Sequence, residues 1–167
     1  MLVTVEDIKT LRDMTGAGIM DSKRALEESG GDVEMAQQIL KDKGIATAAK
    51  KASRETNEGL IHSYIHTGSR VGAIVEVNCE TDFVARTEDL KSLSTDLAMQ
   101  IASMSPKYVN ADELEDSKEG DPEDLCLLSQ PFIRDGSLTV QDIVNETIAK
   151  VGENIRIRRF SRFALGE

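Results

Sequence analysis

Apolar residues recur at helical spacing through residues 1–44 and predict three short helices. The first helix ends at a turn over residues 15–18, where two glycines lie close together. The second is predicted over about 19–29 and the third over 33–43, with Gly44 as its stop. The apolar face of the first helix comprises Val5, Ile8, Leu11 and Thr15. Three helices with tight loops form a small bundle, and such a module usually presents a surface to a partner.

The apolar period changes from 3.6 to 2 beyond residues 46–57, which are predicted to be a linking helix. Residues 60–66 and 70–79, with a Gly68-Ser69 turn between them, predict a β-hairpin. Alternate residues of its second strand form an apolar face, which is expected to meet the core. They are Val71, Ala73, Val75, Val77 and Cys79.

The last third of the chain mixes both periods. Helical spacing returns over 87–104 and, after a Thr139 cap, over 140–151. Residues 112–124 hold eight acids and one lysine and predict a solvated excursion. Residues 155–158 alternate again and predict a third strand with a basic outer face.

These elements predict an α+β protein of two modules. A three-helix bundle occupies residues 1–45, the linking helix 46–57, and a small antiparallel sheet packed against helices 58–167.

Composition and charge narrow the function classes. The formal net charge of −10 argues against broad electrostatic binding of nucleic acid. The apolar stretches are far shorter than the roughly 20 residues of a membrane span, and the first residues lack the basic segment of a targeting peptide. Cys79 and Cys126 form no CxxC pair, which is typical of buried thiols in a reducing compartment. We expect a cytoplasmic protein, or a stromal one if an organelle encodes it, that binds neither nucleic acid nor membrane.

Two stretches resemble ligand sites but lack the residues or the spacing that such sites need. Residues 16–23 (GAGIMDSK) resemble a phosphate loop, but the glycine before the lysine and the preceding strand are missing. His62 and His66 lie on a predicted strand, so they would be roughly 13 Å apart. That is too far for one metal ion with ligands at about 2 Å, and both histidines are expected to face solvent. We expect a binding protein with no catalytic residue, metal, cofactor or bound nucleotide.

The most informative run is residues 75–86 (VEVNCETDFVAR), which leave a core strand and enter a helix. Thr81 or Asp82 would cap that helix. Two interpretations of Phe83 stay open. It packs beneath the sheet, as most phenylalanines do, or it projects outward as a hydrophobic wedge, as interface anchors do.

A second candidate surface surrounds the glycine turn of the bundle. Ile19 and Met20 are adjacent, so on a helix they point about 100° apart and cannot both face one narrow core. One of them is expected to stay exposed beside a basic edge formed by Arg12 and Lys23. The alternative is that both are core residues at a helix start.

Residues 156–163 (RIRRFSRF) are the one basic and aromatic stretch. Such a pattern occurs in platforms for single-stranded nucleic acid, where bases stack on aromatic rings between cations. The same alternation describes an amphipathic edge strand. We favour the strand, because phosphate binding would have to overcome the strongly negative net charge.

Three segments resemble the elongation factor Ts family. Residues 11–26 (LRDMTGAGIMDSKRAL) resemble its N-terminal signature, residues 76–86 (EVNCETDFVAR) its second signature, and residues 152–159 (GENIRIRR) its closing strand. The order and spacing of the three make chance remote. Two positions depart from the family pattern, which commonly has Met where this chain has Ile19 and Cys where it has Ser22.

The resemblance implies a function and a set of contact residues. The bundle would be ubiquitin-associated-like and dock on the G domain of elongation factor Tu through Arg12, Ile19, Met20 and Lys23. The corner formed by Thr81, Asp82, Phe83 and Val84 would reach the same domain, with Phe83 exposed as the wedge. The implied function is guanine-nucleotide exchange, namely GDP release through disturbance of the Mg²⁺ and phosphate site of elongation factor Tu. The length fits a short form with one core, which in this family can form a homodimer, so the resemblance leaves both monomer and homodimer open.

Two other classes of function are weighed against this one. A ubiquitin-associated-like adaptor without exchange activity would have no need to expose the Asp82-Phe83 corner. An RNA-binding translation accessory would use the strand at 156–163, and its RNA affinity would depend steeply on salt. Neither alternative explains why three family motifs occur in order.

Overall fold

The computed structural model describes residues 3–115 and 120–167, and of Glu115 only the backbone. The helices are α1 Val5–Thr15, α2 Ile19–Glu28, α3 Val33–Lys51, α4 Asp82–Ala85, α5 Glu88–Met104, α6 Asp112–Glu115, α7 Pro122–Leu125 and α8 Val140–Val151. The strands are β1 Glu58–Ile65, β2 Val71–Cys79, β3 Pro131–Phe132, β4 Asp135–Thr139 and β5 Ile155–Ala164, and a 3₁₀ turn spans Leu127–Ser129. The predicted α+β class is confirmed: a three-helix bundle precedes an antiparallel sheet packed against helices.

Helices α1 and α2 begin and end close to where the sequence predicts. Thr4 Oγ1 accepts from the Asp7 amide at 3.2 Å, and Asp7 Oδ2 accepts from the Thr4 amide at 2.9 Å, which completes a capping box. Gly16 ends α1 in the left-handed region at φ 68°. The buried centre of the bundle comprises Leu11, Ala25, Leu26 and Ala36. Val5 is 83% exposed at the first turn of α1, so the apolar face of this helix is only partly buried.

Ser22 is a defect in the core of the bundle. It lies on α2, is fully buried, and its hydroxyl has no hydrogen-bond partner among the described residues. A buried hydroxyl without a partner loses its bonds to water and gains nothing in return.

We expect Ser22→Ala to raise the free energy of unfolding by about 1 kcal/mol, measured by urea denaturation. The exposed helical Ser92 supplies the control, because Ser92→Ala changes only helix propensity. An equal gain from both substitutions would show that the buried hydroxyl costs nothing.

The predicted stop at Gly44 is wrong, because α3 continues through it to Lys51. Residues 46–51 of the predicted linking helix are therefore the last turns of α3. Packing of α3 against α8 carries the helix past the glycine: Gly44 is buried, with the Asn145 carbonyl oxygen 3.9 Å from where a Cβ would lie. One continuous helix thus joins the bundle to the rest of the protein.

Gly44→Ala is expected to stabilise the protein by about 0.5–1 kcal/mol, because a Cβ has room there and alanine favours a helix interior. The reciprocal change Ala46→Gly, at an exposed position of the same helix, should destabilise by a similar amount. Thermal unfolding of both variants measures the pair. Destabilisation by Gly44→Ala would mean that α8 packs closely on α3 only because position 44 has no side chain.

An ion pair reinforces the contact between α3 and α8. Lys41 Nζ lies 3.0 Å from Asp142 Oδ2, and Asp142 also accepts from the Thr139 amide at 2.9 Å in the capping box of α8. Burial raises the pKa of Asp142, but the Thr139 amide and the Lys41 ammonium outweigh it, so the pKa lies below its ordinary value. A lowered carboxyl pKa adds stability above the unfolded-state pKa. That contribution is lost as the pH falls through the lowered value.

The main sheet has the strand order β1-β2-β5, and both pairs are antiparallel. The predicted core face of β2 is confirmed, since Ala73, Val75, Val77 and Cys79 are buried and the face packs on α5. The third strand, β5, is an edge strand beside β2, which confirms the strand favoured over residues 156–163. The sheet therefore has one buried face and one outer face.

The region between α5 and α8 differs from its prediction. The short pair β3 and β4 was not predicted, because its strands have only two and five residues. The acidic stretch at 112–124 includes the short helices α6 and α7 and buries Leu114, so its described part is not wholly solvated. Residues 116–119 of that prediction lie outside the described residues.

The two histidines occupy different environments. His62 is half-buried on the core side of β1, and its Nε2 lies 3.2 Å from Thr95 Oγ1, so its predicted solvent-facing position is wrong. His66 follows β1, is exposed, and its Nδ1 lies 2.8 Å from the Tyr64 hydroxyl. Across the described part of the chain no three His, Cys, Asp or Glu side chains are placed to hold a metal ion. Within the same residues no helix is long and apolar enough to cross a membrane.

Candidate partner-binding surface

The bundle exposes the residues singled out around its glycine turn. Ile19 is 58% exposed and Met20 57% exposed, so both side chains face outward where one was predicted to. They occupy the first turn of α2, while the helix contributes Ala25 and Leu26 to the core one turn or more later. Arg12 and Lys23 are partly exposed and form surface ion pairs with Asp13 at 3.2 Å and Glu27 at 3.7 Å. Such pairs bind weakly and release the cations readily to a partner.

Two further methionines of the bundle are exposed. Met14 at the end of α1 and Met35 in the first turn of α3 are also more than half exposed. Gln37 Nε2 lies 3.9 Å from Met14 Sδ, which places the end of α1 beside α3. Neither methionine was predicted to be a site residue, although methionines at positions off the apolar stripe of a helix are a usable signal. Exposed methionines are common on protein-binding surfaces because their side chains adapt in shape.

The corner between β2 and α5 carries Phe83 on its outside. The four-residue helix α4 buries Val84 and Ala85 in the core, which leaves Phe83 pointing away at 77% exposure. Of the two interpretations left open by the sequence, the outward one is therefore observed. Asp82 is exposed as well and pairs with Arg86 at 2.6 Å, one turn later.

One residue of the predicted corner turns inward and one stays exposed. The Val84 side chain is 4% exposed, so it is part of the core. The Thr81 hydroxyl accepts from the Val84 amide at 3.4 Å as the helix cap and donates to Glu153 Oε1 at 2.6 Å. Val84 thus anchors the corner in the core, and Thr81, Asp82 and Phe83 are exposed on it.

Cys79 lies just before this corner and has a structural role. Its thiol is buried and donates to the Thr81 carbonyl oxygen at 3.1 Å. Burial, followed by the negative charge of Glu153, raises its pKa to about 11. The thiol is therefore protonated at neutral pH and is a poor nucleophile.

The outer face of the sheet carries a large exposed apolar patch, which we call the sheet patch: Ile61, Ile65, Ile74, Phe163 and Leu165. Cross-strand neighbours bring these residues together, since Gly72 lies between Ile65 and Phe163. The patch ends at Glu76, whose carboxylate accepts from Arg159 at 2.7 Å. That bond, with help from Asn78 and the charges of Arg159 and Arg158, lowers the pKa of Glu76.

The candidate residues form separate groups. Thr81, Asp82 and Phe83 meet at the corner, whereas Arg12, Ile19, Met20 and Lys23 lie on the bundle, and α3 connects the two modules. The fold defines an α+β protein with two separate buried cores and exposed apolar surfaces, and exposed apolar patches are typical of interaction sites.

Comparison with known proteins identifies the family. Residues 33–121 match the family model described as Elongation factor TS. Proteins named elongation factor Ts from Carboxydothermus hydrogenoformans and Moorella thermoacetica are 46% and 45% identical to this chain, over 99% of its length and 90% and 97% of theirs. One from Cyanothece sp. is 47% identical over 99% of this chain and 74% of that protein. The chain belongs to the elongation factor Ts family.

Each of these alignments spans 196 positions, which is 29 more than the 167 residues of this chain. The relatives therefore carry residues that have no counterpart here.

Proposed function

We propose that this protein is a translation elongation factor that acts as the guanine-nucleotide exchange factor of elongation factor Tu. It promotes release of GDP from that GTPase and catalyses no covalent reaction. Family membership supports the choice of partner. The observation that carries the mechanism is the 77% exposure of Phe83 on a corner anchored in the core.

Both the bundle and the Phe83 corner contact the partner. The bundle docks on the G domain of elongation factor Tu through Ile19 and Met20, with Arg12 and Lys23 adding positive charge at the rim. The corner reaches the same G domain through Asp82 and Phe83. An exposed aromatic ring that enters a pocket of its partner is typical of the residues that dominate interface energetics.

Exchange follows from where the aromatic ring acts. GDP in a GTPase is held by loop amides and by Mg²⁺, whose near-octahedral coordination tolerates little displacement. A wedge that shifts a neighbouring helix weakens this coordination, so GDP affinity falls while the factor is bound. Linkage makes the effect reciprocal: incoming nucleotide weakens the grip of the factor and releases it. The factor speeds exchange in both directions, and the nucleotide concentrations set the net direction.

The proposed function requires no ligand of the protein's own and no binding to nucleic acid or membrane. The protein binds no nucleotide, metal or cofactor of its own, and its acidic surface has no role toward nucleic acid or membrane. Its place is the cytoplasm, where elongation factor Tu acts, or the stroma of an organelle that encodes it.

The working form that we propose is a homodimer through the sheet patch. The patch is apolar at its centre and carries both signs of charge at one end, with Glu76 beside Arg158 and Arg159. A two-fold interface needs a surface that complements itself, and a patch with both signs of charge meets that requirement. The homodimer, in which each chain has one core module, would then present two cores to elongation factor Tu.

Release of a fluorescent GDP analogue from purified elongation factor Tu tests the function. We expect release to accelerate in proportion to added protein until elongation factor Tu is saturated. Co-sedimentation of the two proteins in the same buffer supplies the control. Unchanged release at concentrations where they bind would replace the exchange function with that of an adaptor.

A further inference from the structure

The corner that carries Phe83 is held by a residue from the far end of the chain. Glu153, in the turn between α8 and β5, accepts three hydrogen bonds from the corner. Its Oε2 accepts from the amides of Glu80 and Thr81 at 3.1 and 3.0 Å, and its Oε1 accepts from the Thr81 hydroxyl at 2.6 Å. Bonds to an ionised carboxylate are shorter and stronger than neutral ones, so this contact fixes the backbone just before Asp82.

A reciprocal contact locks the same two turns from the other side. The Glu80 carboxylate accepts from the Asn154 amide at 2.7 Å and lies 3.5 Å from Arg54. Each turn thus supplies a carboxylate to the backbone amides of the other. A corner bonded in both directions resists rotation about either contact alone.

Asn154 adds a third element to this cluster. Its side chain is 3% exposed and donates to the carbonyl oxygens of Arg54 at 2.9 Å and Ala52 at 3.4 Å. These carbonyls follow Lys51, the last residue of α3. The C-terminal end of the helix that begins in the bundle is therefore fastened to the turn that holds Phe83.

We propose that Glu153 and Asn154 are positioning residues that make the bundle and the Phe83 corner one rigid unit. This inference rests on the proposed exchange function. When the bundle docks, the rigid connection presses Phe83 into its partner at a fixed place. If the connection yields, the binding energy of the bundle is not transmitted to Phe83, because only interactions that strain the nucleotide site accelerate release. The contacts of the bundle with its partner are unchanged in that case.

The test separates binding from acceleration. GDP release from elongation factor Tu is followed over a range of factor concentrations for wild type, Glu153→Ala and Glu153→Gln. We expect Glu153→Ala to lower the maximal release rate about tenfold, because small misplacements of an acting group have large rate effects. The half-saturating concentration should change less than about threefold, since it reports binding. Glu153→Gln keeps one acceptor oxygen and should fall between the two.

Glu123→Ala is the matched control, because it removes one negative charge from an exposed site outside this cluster. Its release curve should match that of wild type. A maximal rate for folded Glu153→Ala or Glu153→Gln equal to wild type would overturn the proposal, as would an equal loss for Glu123→Ala.

A second measurement does not depend on exchange. The chain has no tryptophan, so Phe83→Trp places a single reporter on the corner. Its fluorescence anisotropy decay should gain a fast component when Glu153→Ala or Glu153→Gln is added. If the fast component appears but the wild-type protein shows no exchange activity, the proposed function is rejected and the positioning role stands. Identical decays would overturn the positioning role itself.

Discussion

Phe83→Ala is expected to abolish most of the acceleration of GDP release while keeping most of the affinity for elongation factor Tu. The ring is 77% exposed and belongs to no part of the core, so its removal should leave the fold intact. The bundle keeps its own contacts and continues to bind. Loss of an interface anchor commonly costs 2 kcal/mol or more. If that energy is used to strain the nucleotide site, the maximal rate should fall roughly tenfold or further.

A graded series makes this prediction sharper. Phe83→Leu keeps part of the apolar volume and should retain an intermediate rate. Ile45→Ala shortens another exposed apolar side chain, on α3, and should leave both rate and affinity near wild type. Stopped-flow release of the fluorescent GDP analogue gives the rates, and titration calorimetry gives the affinities. Equal release rates for Phe83→Ala and wild type would reject the wedge mechanism.

The sequence predicted those elements that local chemistry determines. The capping residue Thr139 marked a helix start, and alternation along β2 identified its buried face. These signals are local: a cap depends on the residues three positions away, and a strand face depends on every second residue.

Gly44 shows where local signals fail. A glycine after a helical stretch is a common helix end, yet here α3 continues because α8 packs against it. The prediction that His62 faces solvent was wrong for a related reason. The sequence places it on a strand, but only the packing of α5 against β1 places Thr95 beside it.

The exposed residues of the Phe83 corner could be predicted from the sequence, but the contacts that hold the corner in place could not. The run at residues 75–86 identified Asp82 and Phe83, although composition alone left the direction of the Phe83 ring open. The resemblance favoured the outward direction, and the structure agrees. Glu153 and Asn154 are part of a predicted strand motif, but nothing local shows that they meet a turn more than 70 residues earlier. Such contacts depend on the antiparallel pairing of β2 with β5, which brings the two turns to the same end of the sheet.

If the proposed homodimer forms through the sheet patch, Ile74→Asp is expected to convert it to a monomer. Ile74 lies on the central strand in the middle of the sheet patch, opposite Ser63 on β1 and Ser161 on β5. A carboxylate there would be buried against its own copy across a two-fold axis, and two like charges without partners oppose association strongly. The side chain faces away from the core, so the fold of each protomer should survive.

Light scattering coupled to size-exclusion chromatography measures the mass of each variant at micromolar concentration. Val5→Asp is the matched control, since Val5 is 83% exposed on the bundle and an acid at a helix start is favourable. If two cores are needed to engage elongation factor Tu, the Ile74→Asp monomer should also require a higher concentration to reach half-maximal release. A monomeric wild type would instead assign the whole exchange activity to one core and one bundle. In that case the sheet patch would have no part in self-association.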